Sequence, residues 1–293
     1  MRYTLRQLDV FLTIARTGNL TQAASQLSMS QSAASSALKD LESQFDLQLF
    51  DRIGRKLQLN EQGKALQPKA QSLLEQAQEI EHMLLNQDDA GHIAIGATLS
   101  IGNYLAVGLV AQYKASHPHA DVRLEVDNTR HIVEKVRRFE LDVGLIEGEI
   151  NDTELDIRPW RSDELVVFCA PDHPLAHTPT LTDAQLANAQ WILRERGSGT
   201  RQAFDRAMHG LLPQLAINME LQHTEAIKRA VEAGLGVGCL SRITLIEAFQ
   251  RGSLMPLDVP QRDFHRTLYQ VLHKQKYQAA GLKAWLQLCD ALD

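Results

Sequence analysis

The stretch NLTQAASQLSMSQSAASSALKDLESQF, residues 19–45, decides the fold of the first part of the chain. It is typical of two helices joined by a short turn at SMS, the first capped by Asn19 or Thr21 and the second by Ser30. Apolar residues recur along the second helix at steps of four, three and four, which predicts a buried stripe of Ala34, Leu38, Leu41 and Phe45. Two short helices across a tight turn predict a helix-turn-helix.

The outer face of the second helix carries small polar side chains and one lysine. They are Gln31, Ser32, Ser35, Ser36 and Lys39. Small side chains let such a helix lie deep in the major groove of DNA, where Gln31 and the serines can hydrogen-bond base edges and phosphates. The pattern alone leaves open that this face is an ordinary solvated helix surface.

The flanking segments extend the motif on both sides. Apolar residues at helical spacing from Leu5, ended by Gly18, predict a preceding helix. The segment LQLFDRIGRKLQLNEQG, residues 47–63, predicts a β-hairpin wing with Arg52 and Arg55 near its tip. We expect these two arginines to contact phosphates or to enter the minor groove of DNA.

Residues 5–64 resemble the winged helix-turn-helix of LysR-type transcriptional regulators. The resemblance rests on LRQLDVFLTIARTGNLTQAASQLSMSQSAASSALKDLESQFDLQLFDR and LNEQGKAL, continues to the C-terminus, and is closest to the YeiE-like branch. Many members of the family have proline after the glutamine of the recognition helix and a basic residue after its second serine. Ser32 and Ser36 stand at those places in this chain, so base contacts are not carried over from the family there.

Composition and charge place the chain among soluble globular proteins. Hydrophobic residues make up 44% and charged residues 23% of its 293 residues, and no apolar run approaches the ~18 to 20 residues of a membrane helix. The three cysteines lie far apart and the N-terminus does not resemble a signal peptide, so we expect a cytoplasmic protein without a metal site. Residues 1–64 carry 8 basic and 6 acidic side chains against 22 and 30 in the remainder, which favours a DNA contact at the N-terminal end.

A long amphipathic helix is predicted from Asn60 to about residue 86. Its apolar residues alternate steps of four and three, and they are Leu66, Ala70, Leu73, Ala77, Ile80 and Leu84. Such a helix ordinarily packs on its own domain. The resemblance implies that it pairs with the same helix of a second subunit and so places two winged domains on one DNA site.

Strand and helix patterns alternate through the rest of the chain and predict a mostly parallel α/β sheet. The resemblance implies an α/β effector domain of two Rossmann-like subdomains, similar to type 2 periplasmic binding proteins, with crossings near residues 162–164 and 266–268. We therefore expect a winged helix-turn-helix domain at 1–59, a linker and dimerisation helix at 60–88, and an effector-binding domain at 89–293. Within the effector-binding domain, subdomain 1 comprises 89–162 and 268–293, and subdomain 2 comprises 163–267.

Polar side chains follow several predicted strands, at the sheet edge where open α/β folds bind ligands. The candidate effector-binding residues are Thr98, Ser100, Asn103, Asn128, Glu147, Glu195, Arg196, Ser198, Thr200 and Thr224. In RERGSGTR, residues 194–201, the loop from Arg196 to Thr200 is expected to contact an anion, and Arg194 and Arg201 to be structural. A single serine or threonine at a helix start is more often a cap, so the prediction depends on their convergence in one cleft.

This set of residues favours a small anionic effector. Hydroxyls, helix N-termini and a guanidinium suit an oxyanion or short carboxylate, and an aromatic content of 5% argues against a large planar ligand. The resemblance to regulators of sulfur or small-anion metabolism makes sulfite or sulfate the leading candidate. Glu147 and Glu195 would repel an anion unless they pair with arginines or accept a proton from a ligand such as bisulfite.

The sequence contains no catalytic motif, since GSG lacks the nucleophile elbow and the loop lacks the lysine of a phosphate-binding loop. We therefore expect a regulator rather than an enzyme, with no cofactor and no membrane association. The implied partners are double-stranded DNA carrying an interrupted inverted repeat, a small anionic effector, RNA polymerase, and further copies of the chain as a dimer of dimers. A response to a short carboxylate, a neutral metabolite or a redox change, or a vestigial cleft, remains the alternative.

Overall fold

The N-terminal part of the computed structural model is a three-helix unit with a two-stranded wing. The structure describes residues 2–54, 56–84 and 91–291. The unit comprises α1 (Leu5–Thr17), α2 (Leu20–Gln26), α3 (Gln31–Gln44), β1 (Phe50–Ile53) and β2 (Lys56–Leu59), with β1 and β2 antiparallel. The predicted helix-turn-helix and wing are therefore both present, while Arg55 lies outside the described residues.

Side-chain caps fix where these helices begin. Asn19 rather than Thr21 caps α2, because its side-chain oxygen accepts from the backbone N–H groups of Thr21 and Gln22. The Ser30 hydroxyl accepts from the Ala33 N–H at 3.1 Å and starts α3. Gly18 ends α1 in the left-handed conformation at φ 62°, which a glycine adopts without strain.

The predicted buried stripe of α3 holds for three of its four residues. Ala34, Leu38 and Leu41 are buried in the core of the unit. Phe45 is 45% exposed, and the prediction for it is wrong. Helical periodicity fails at this position because α3 ends at Gln44 and Phe45 is its C-cap, with its ring facing Tyr3 at a centroid distance of 6.5 Å.

Helix α4 (Glu61–Leu84) follows, capped by Asn60, whose side-chain oxygen accepts from the Gly63 N–H at 2.9 Å. The first half of its apolar stripe packs on the winged unit of the same chain, with Ala70 buried there. The second half does not, since Ile80 is 55% and Leu84 is 74% exposed. Among the described side chains of the apolar stripe, those at the far end of α4 are therefore the exposed ones, and residues 85–90 lie outside the described residues.

The rest of the described chain forms one nine-stranded sheet with helices on both faces. In chain order the first elements are β3 (His92–Thr98), α5 (Leu99–Ile101), a π-helical turn (Gly102–Ala106), α6 (Val107–Ser116), β4 (Asp121–Asp127), α7 (Thr129–Arg137), β5 (Val143–Ile146) and β6 (Leu155–Cys169). They are followed by α8 (Asp183–Asn188), β7 (Gln190–Arg194), α9 (Gly199–Ala207), β8 (Ala216–Leu221), α10 (Thr224–Glu232), β9 (Val237–Ser241), α11 (Ile246–Gln250), β10 (Met255–Leu257), β11 (His265–His273) and α12 (Ala280–Asp290).

The strand order is β4-β3-β5-β11-β6-β9-β7-β8, with β10 beside β6. The pairs β3–β4, β3–β5, β7–β8 and β7–β9 are parallel, as predicted. Every pair that includes β6 or β11 is antiparallel, so the sheet is mixed rather than mostly parallel. The reason is that β6 and β11 run in opposite directions between the two halves of the sheet and pair with each other over most of the length of β11.

Each half of the sheet has its own apolar core on both faces. Trp285, Tyr113 and Ile95 belong to one core of the first half, and Trp191 and Phe204 to one core of the second. The two crossing strands are the covalent connection between the halves, so the cleft between them is floored by β6 and β11. Among the described helices, none has both the length and the apolarity to cross a membrane.

We predict that Gly63→Ala destabilises the winged unit by about 1–3 kcal/mol, the usual cost of overpacking. A Cβ at Gly63 would lie 2.2 Å from the Leu49 carbonyl oxygen, which backbone cannot avoid without moving. Thermal unfolding followed by far-ultraviolet circular dichroism measures the effect. All three tryptophans lie beyond residue 159, so the transition seen by tryptophan fluorescence should stay unchanged.

The control is Gly108→Ala in α6, where a Cβ meets nothing within 4 Å. This change should be neutral or stabilising by up to about 1 kcal/mol, because alanine is the better helix former. Equal stability of the two variants would contradict the packing of Gly63 against the wing.

Candidate functional site

The carboxylate of Glu147 lies at the centre of the cleft, at the end of β5. Its Oε1 accepts from the backbone N–H groups of Ser100 at 2.9 Å and Ile101 at 3.4 Å. Its Oε2 accepts from the Thr200 hydroxyl at 2.9 Å and from Arg266 Nη1 at 3.1 Å. The structure therefore brings together Ser100, Glu147 and Thr200, three of the residues nominated from the sequence.

Glu147 is an ionised group held in the interior, with a side-chain exposure of 1%. Burial alone would raise its pKa, but the Arg266 guanidinium and the hydrogen bonds from Thr200 and Ser100 outweigh burial and lower the pKa from 4.5 to about 2. The Glu147 carboxylate thus accepts hydrogen bonds from a hydroxyl, a helix N-terminus and a guanidinium, the kinds of donor that were predicted to bind an external anion. Of the two possibilities for Glu147, pairing with an arginine is the one observed.

Arg266, at the start of β11, was not among the predicted site residues. Its Nε donates to Asp163 Oδ2 at 2.7 Å and its Nη1 donates to the Thr200 hydroxyl at 3.1 Å, in addition to the pair with Glu147. Asp163 in turn accepts from the Ser241 hydroxyl at 2.8 Å. A continuous polar chain therefore crosses the floor of the cleft from one half of the sheet to the other.

The position of Arg266 explains why sequence reasoning missed it. The predicted site residues follow the carboxyl ends of strands, whereas Arg266 stands near the amino end of the antiparallel strand β11. Its register partner on β6 is Asp163, and both residues fall at the crossings that the family resemblance places near 162–164 and 266–268. The opposite charges of Asp163 and Arg266, one at each crossing, were the sequence feature that could have predicted this pair.

The loop after β7 forms one wall of the cleft. Ser198 is buried and caps α9, its hydroxyl accepting from the Arg201 N–H at 3.4 Å. Thr200 follows it and donates to Glu147. The Arg196 side chain is exposed, and Gly197 has a φ of 93°, a left-handed conformation that glycine adopts without strain.

The charged neighbours of this loop are engaged with one another. Glu195 accepts from Arg194 Nε at 2.8 Å and Nη2 at 2.9 Å, so its charge is balanced by a buried arginine. Arg201 is buried and donates to Asp205 at 2.8 Å and Glu220 at 2.9 Å. Arg194 and Arg201 are therefore structural, as expected.

Four buried hydroxyls of the described residues have no hydrogen-bond partner in the structure, and all four stand where a helix follows a strand. They belong to Thr98, Ser100, Thr129 and Thr224. Buried polar atoms are nearly always hydrogen-bonded in folded proteins, so unpaired hydroxyls mark places for a water or a ligand. Thr129 is the one member of this set that the sequence analysis passed over in favour of its neighbour Asn128.

The remaining nominated residues have other positions. The Asn128 side chain caps α7 by accepting from the His131 N–H at 3.1 Å, which is the structural alternative for this residue. Asn103 is exposed on the π-helical turn. Thr224 is the first residue of α10 and keeps its hydroxyl buried.

The two halves of the cleft are in contact. A Cβ on Gly199 would lie 2.5 Å from the backbone nitrogen of Gly148, so only glycine allows this approach. On one side Gln202 exchanges two 3.0 Å hydrogen bonds with the backbone of Glu149. On the other, the Tyr104 hydroxyl donates to Glu225 at 3.0 Å. The cleft is therefore closed.

A cavity of about 430 Å³ lies beside Arg266 within the closed cleft. Its wall is largely apolar and includes Ile101, Leu105, Ile243, Ile246 and Leu268. Charged side chains of the crossing strands, among them Arg161, Glu164 and His265, line its floor. This space accepts a molecule larger than a simple oxyanion, with an apolar part.

The second candidate interface is the outer surface of the winged unit. Gln31, Ser32, Ser35, Ser36 and Lys39 are all exposed on α3, and Arg52 is exposed on β1. The Ser32 hydroxyl lies 2.9 Å from that of Ser30, so these two serines hydrogen-bond to each other at the start of the helix. The arrangement presents short polar side chains on one helix and a cation on the adjacent wing.

Comparison with known proteins gives two family matches. Residues 5–64 match the lysR-family bacterial regulatory helix-turn-helix protein, and residues 86–293 match the LysR substrate binding domain. The uncharacterized HTH-type transcriptional regulator YeiE of Escherichia coli is 46% identical over 290 residues, covering 99% of this chain and 98% of its own.

Solved structures agree with this comparison. A full-length OxyR variant from Pseudomonas aeruginosa superposes with a TM-score of 0.73 at 22% identity, covering 99% of this chain and 94% of that one, a likeness of fold alone. The regulatory domain of CcmR from Synechocystis, solved in complex with 2-PG, is 27% identical with a TM-score of 0.64. It covers 69% of this chain and 97% of that one.

We predict that Glu147→Gln lowers the stability of the protein and flattens its dependence on pH. Because the pKa of Glu147 is lowered to about 2, its carboxylate stabilises the fold above pH 4.5, and this contribution is lost as the pH falls towards 2. The contribution is roughly 3 kcal/mol in full, of which about 1 kcal/mol is lost between pH 7 and pH 4.

Urea unfolding followed by tryptophan fluorescence at several pH values checks this. The stability gap between wild type and Glu147→Gln should narrow by about 1 kcal/mol from pH 7 to pH 4. Glu247→Gln, at an exposed carboxylate of α11, serves as the control and should follow the wild type. A gap independent of pH would mean that Glu147 is not the buried anion described.

Proposed function

Because the chain belongs to the LysR family of transcriptional regulators, we propose that it is a DNA-binding regulator whose cleft senses a small oxyanion such as sulfite or sulfate. The observation that supports the oxyanion part is a pair of unpaired buried hydroxyls, of Ser100 at Glu147 and of Thr129 at the adjacent Gly148. The family members are regulators, so the chain is not an enzyme. For its parts we propose the division 1–59, 60–88 and 89–293, with subdomain 1 at 89–162 and 268–293 and subdomain 2 at 163–267.

On the DNA side, α3 is the element that enters the major groove. Its exposed polar residues number four in the first two turns, and none has a bulky side chain to hold the helix away from the base edges. The side chains that then hydrogen-bond bases or phosphates are Gln31, Ser32, Ser35 and Ser36, and Lys39 contacts the DNA backbone. Arg52 on the wing is available to a phosphate or to the minor groove, and Arg55 is proposed for the same role.

Two copies of the chain are needed to read an interrupted inverted repeat, and apolar surface at two places supports self-association. Ile80 and Leu84 are exposed at the free end of α4. Val126 on β4 and Ile217 on β8 are 40% and 45% exposed, and these strands stand at the two ends of the strand order, each with an unpaired edge. One contact joins two linker helices and the other joins two effector domains, which together generate a dimer of dimers.

RNA polymerase is the further partner that we propose for this assembly.

In the cleft, an oxyanion gains hydrogen bonds from hydroxyls that otherwise have none. Ser100 and Thr129 stand at the starts of α5 and α7, on either side of Glu147 and Gly148. Ser198 and Thr200 close the site from the other half, and Thr98 and Thr224 add two more hydroxyls. Glu195 stays on Arg194, outside the ligand's contacts, and Arg196 reaches the solvent at the mouth.

The charge of Glu147 selects among anions. An ionised carboxylate repels a fully deprotonated anion but accepts a hydrogen bond from a protonated one. Bisulfite, the protonated form of sulfite, has such a proton, whereas sulfate has none at neutral pH. Sulfite is therefore preferred over sulfate in this site as long as Glu147 remains on Arg266.

A second candidate effector is a short carboxylate with an apolar body. The cavity of about 430 Å³ beside Arg266 favours it, because Leu105 and Ile246 offer an apolar wall that an inorganic anion does not use. The related CcmR domain, solved with 2-PG, also supports a small organic ligand. Binding of such a ligand would be insensitive to loss of the Thr129 hydroxyl.

For the DNA half, Arg52→Ala should weaken binding to specific and nonspecific DNA alike, because a phosphate contact carries no sequence information. The slope of the logarithm of affinity against the logarithm of salt concentration should become less negative by about one unit. Gln31→Ala should instead reduce the preference for the specific site by about 1–3 kcal/mol.

Fluorescence anisotropy with a promoter fragment and with a scrambled fragment separates the two effects. Arg158→Ala, at an exposed arginine of the effector domain, is the matched control and should change neither. An unaltered salt slope for Arg52→Ala would remove the wing from the DNA contact.

For the effector half, calorimetric titration with sulfite, sulfate, phosphate and acetate should show binding of at least one anion, with sulfite tightest. Ser100→Ala and Thr129→Val should each weaken it about tenfold or more, since a hydrogen bond to a charged group contributes about 1.5–3 kcal/mol. Glu147→Gln should reduce the preference for sulfite over sulfate.

Ser253→Ala removes a hydroxyl that bonds Glu232 far from the cleft, and it should bind as the wild type does. Equal affinities for wild type, Ser100→Ala and Thr129→Val would remove the hydroxyls from the site. Absence of binding by every anion would favour the organic carboxylate.

A further inference from the structure

Helix α4 carries a second stripe that is polar and distinct from its apolar one. Gln67, Gln71, Glu75 and Glu79 recur at steps of four, so they lie along one side of the helix. Gln67 donates to the Arg138 carbonyl oxygen of the effector domain at 3.3 Å, and Glu79 accepts from the Tyr277 hydroxyl at 2.7 Å. This stripe seats the linker helix on the effector domain of the same chain.

The centre of that contact is the buried ammonium group of Lys276. Its side chain is 4% exposed and forms ion pairs with Glu75 of α4 and, at 2.7 Å, with Asp142 of the effector domain. Asp142 also accepts from the Ala94 N–H of β3 at 2.6 Å, and Glu75 accepts from Gln71 at 2.6 Å. One lysine therefore joins the linker helix to the effector-domain sheet.

The surroundings keep this cation charged. Burial works against the ammonium form, but Asp142 and Glu75 outweigh burial and raise the pKa of Lys276. Burial raises the pKa of Glu75, while Lys276 acts in the opposite direction. Loss of either partner leaves a buried charge without its counterion, so the contact is sensitive to single substitutions.

Strand β11 connects this contact with the cleft. Arg266 is its second residue and Lys276 lies three residues beyond its last, so about 23 Å of extended strand runs from Arg266 to the turn that holds Lys276. The strand pairs with β6 from His265 to His273, with a register irregularity between Leu268 and Tyr269, and with β5 at Tyr269–Val271, so the sheet restricts how it can move. After it the chain turns tightly, with the Lys276 N–H donating to the His273 carbonyl oxygen at 2.9 Å.

We infer that the ion-pair cluster of Lys276, Glu75 and Asp142 is the joint through which the cleft controls the linker helix. A ligand that alters the Glu147–Arg266 pair shifts β11, and the shift reaches Glu75 through Lys276. The inference rests on the proposed function, because it assigns the route by which an effector in the cleft reorients the winged domains.

The opposite interpretation is a static support, in which the cluster only adds stability. The two differ in thermodynamic linkage. If the seating of α4 is coupled to the cleft, the ligand changes the protection of α4 and loss of the seating changes ligand affinity by the same factor. A static support shows neither effect.

The experiment is hydrogen exchange of the full-length protein, with and without sulfite, combined with calorimetric sulfite titration. Two variants break the cluster from opposite sides. Lys276→Met removes the cation, and Glu75→Gln leaves the Lys276–Asp142 pair of the effector domain intact, so it tests the joint even where the first variant folds poorly. Both should raise exchange in the second half of α4 by about tenfold or more, the effect of losing about 1.4 kcal/mol of local stability.

Sulfite should change the hydrogen exchange of α4 in the wild type and not in either variant. Both variants should change the affinity for sulfite by the same factor by which sulfite changes the exchange of wild-type α4. Lys274→Met is the matched control on the effector side, because its Nζ donates to the Thr153 carbonyl oxygen within the same domain. Glu81→Gln, at an exposed residue of α4, is the control on the linker side. Both controls should behave as the wild type.

If α4 exchanged at the same rate in both variants as in the wild type, the ion-pair cluster would not hold the linker helix. A sulfite response of α4 that persists in the variants would overturn its role in coupling. Should sulfite fail to bind the wild type, the proposed effector is wrong, and the joint is then judged by Glu147→Gln as the perturbation of the cleft. That change should alter the exchange of α4 in the wild-type background and not with Lys276→Met, and the opposite result would overturn the inference.

Discussion

The buried pair of Glu147 and Arg266 is the constraint around which the effector domain is arranged. A carboxylate and a guanidinium with exposures of 1% and 2% lie between the two halves of the sheet, and burial of such charges is tolerated only when they are paired and hydrogen-bonded. Ser100 and Ile101 supply backbone donors from one half, and Thr200 supplies a hydroxyl from the other. The closed cleft therefore exists because both halves are needed to satisfy one charge.

This internal anion also sets the terms for any ligand. A regulator that holds its cleft closed with its own carboxylate responds to a molecule that improves on, or rearranges, those hydrogen bonds. The unpaired hydroxyls of Ser100 and Thr129, beside Glu147 and Gly148, can donate hydrogen bonds to such a molecule. On the far side of the domain, α4 is seated by another buried charge, Lys276, so both ends of β11 are fixed by ion pairs rather than by apolar packing alone.

Much of this architecture follows from local sequence rules. Asn19 and Ser30 cap the helices of the winged unit as short polar side chains do, and the alternating strands and helices lie close to their predicted positions. Ser100, Glu147 and Thr200 were found because parallel strands end at one edge of a sheet. The exposed polar side chains of α3 could be predicted because they are what the buried stripe leaves outside.

The rest depends on tertiary pairing that no local pattern contains. Arg266 lies on a strand whose antiparallel direction puts its amino end in the cleft. Asn128 stands between a strand and a helix, where a ligand contact was predicted. Its side-chain oxygen instead accepts a hydrogen bond from the His131 N–H of α7. The apolar stripe of α4 is continuous in sequence, but its first half is consumed by the winged unit and only Ile80 and Leu84 remain exposed. A crystal structure of the full-length protein with sulfite would show directly whether the cleft binds an oxyanion. We expect an anion within hydrogen-bonding distance of the Ser100 and Thr129 hydroxyls and beside the Glu147 carboxylate. An organic ligand held by Leu105 and Ile246, with those hydroxyls still unpaired, would contradict it.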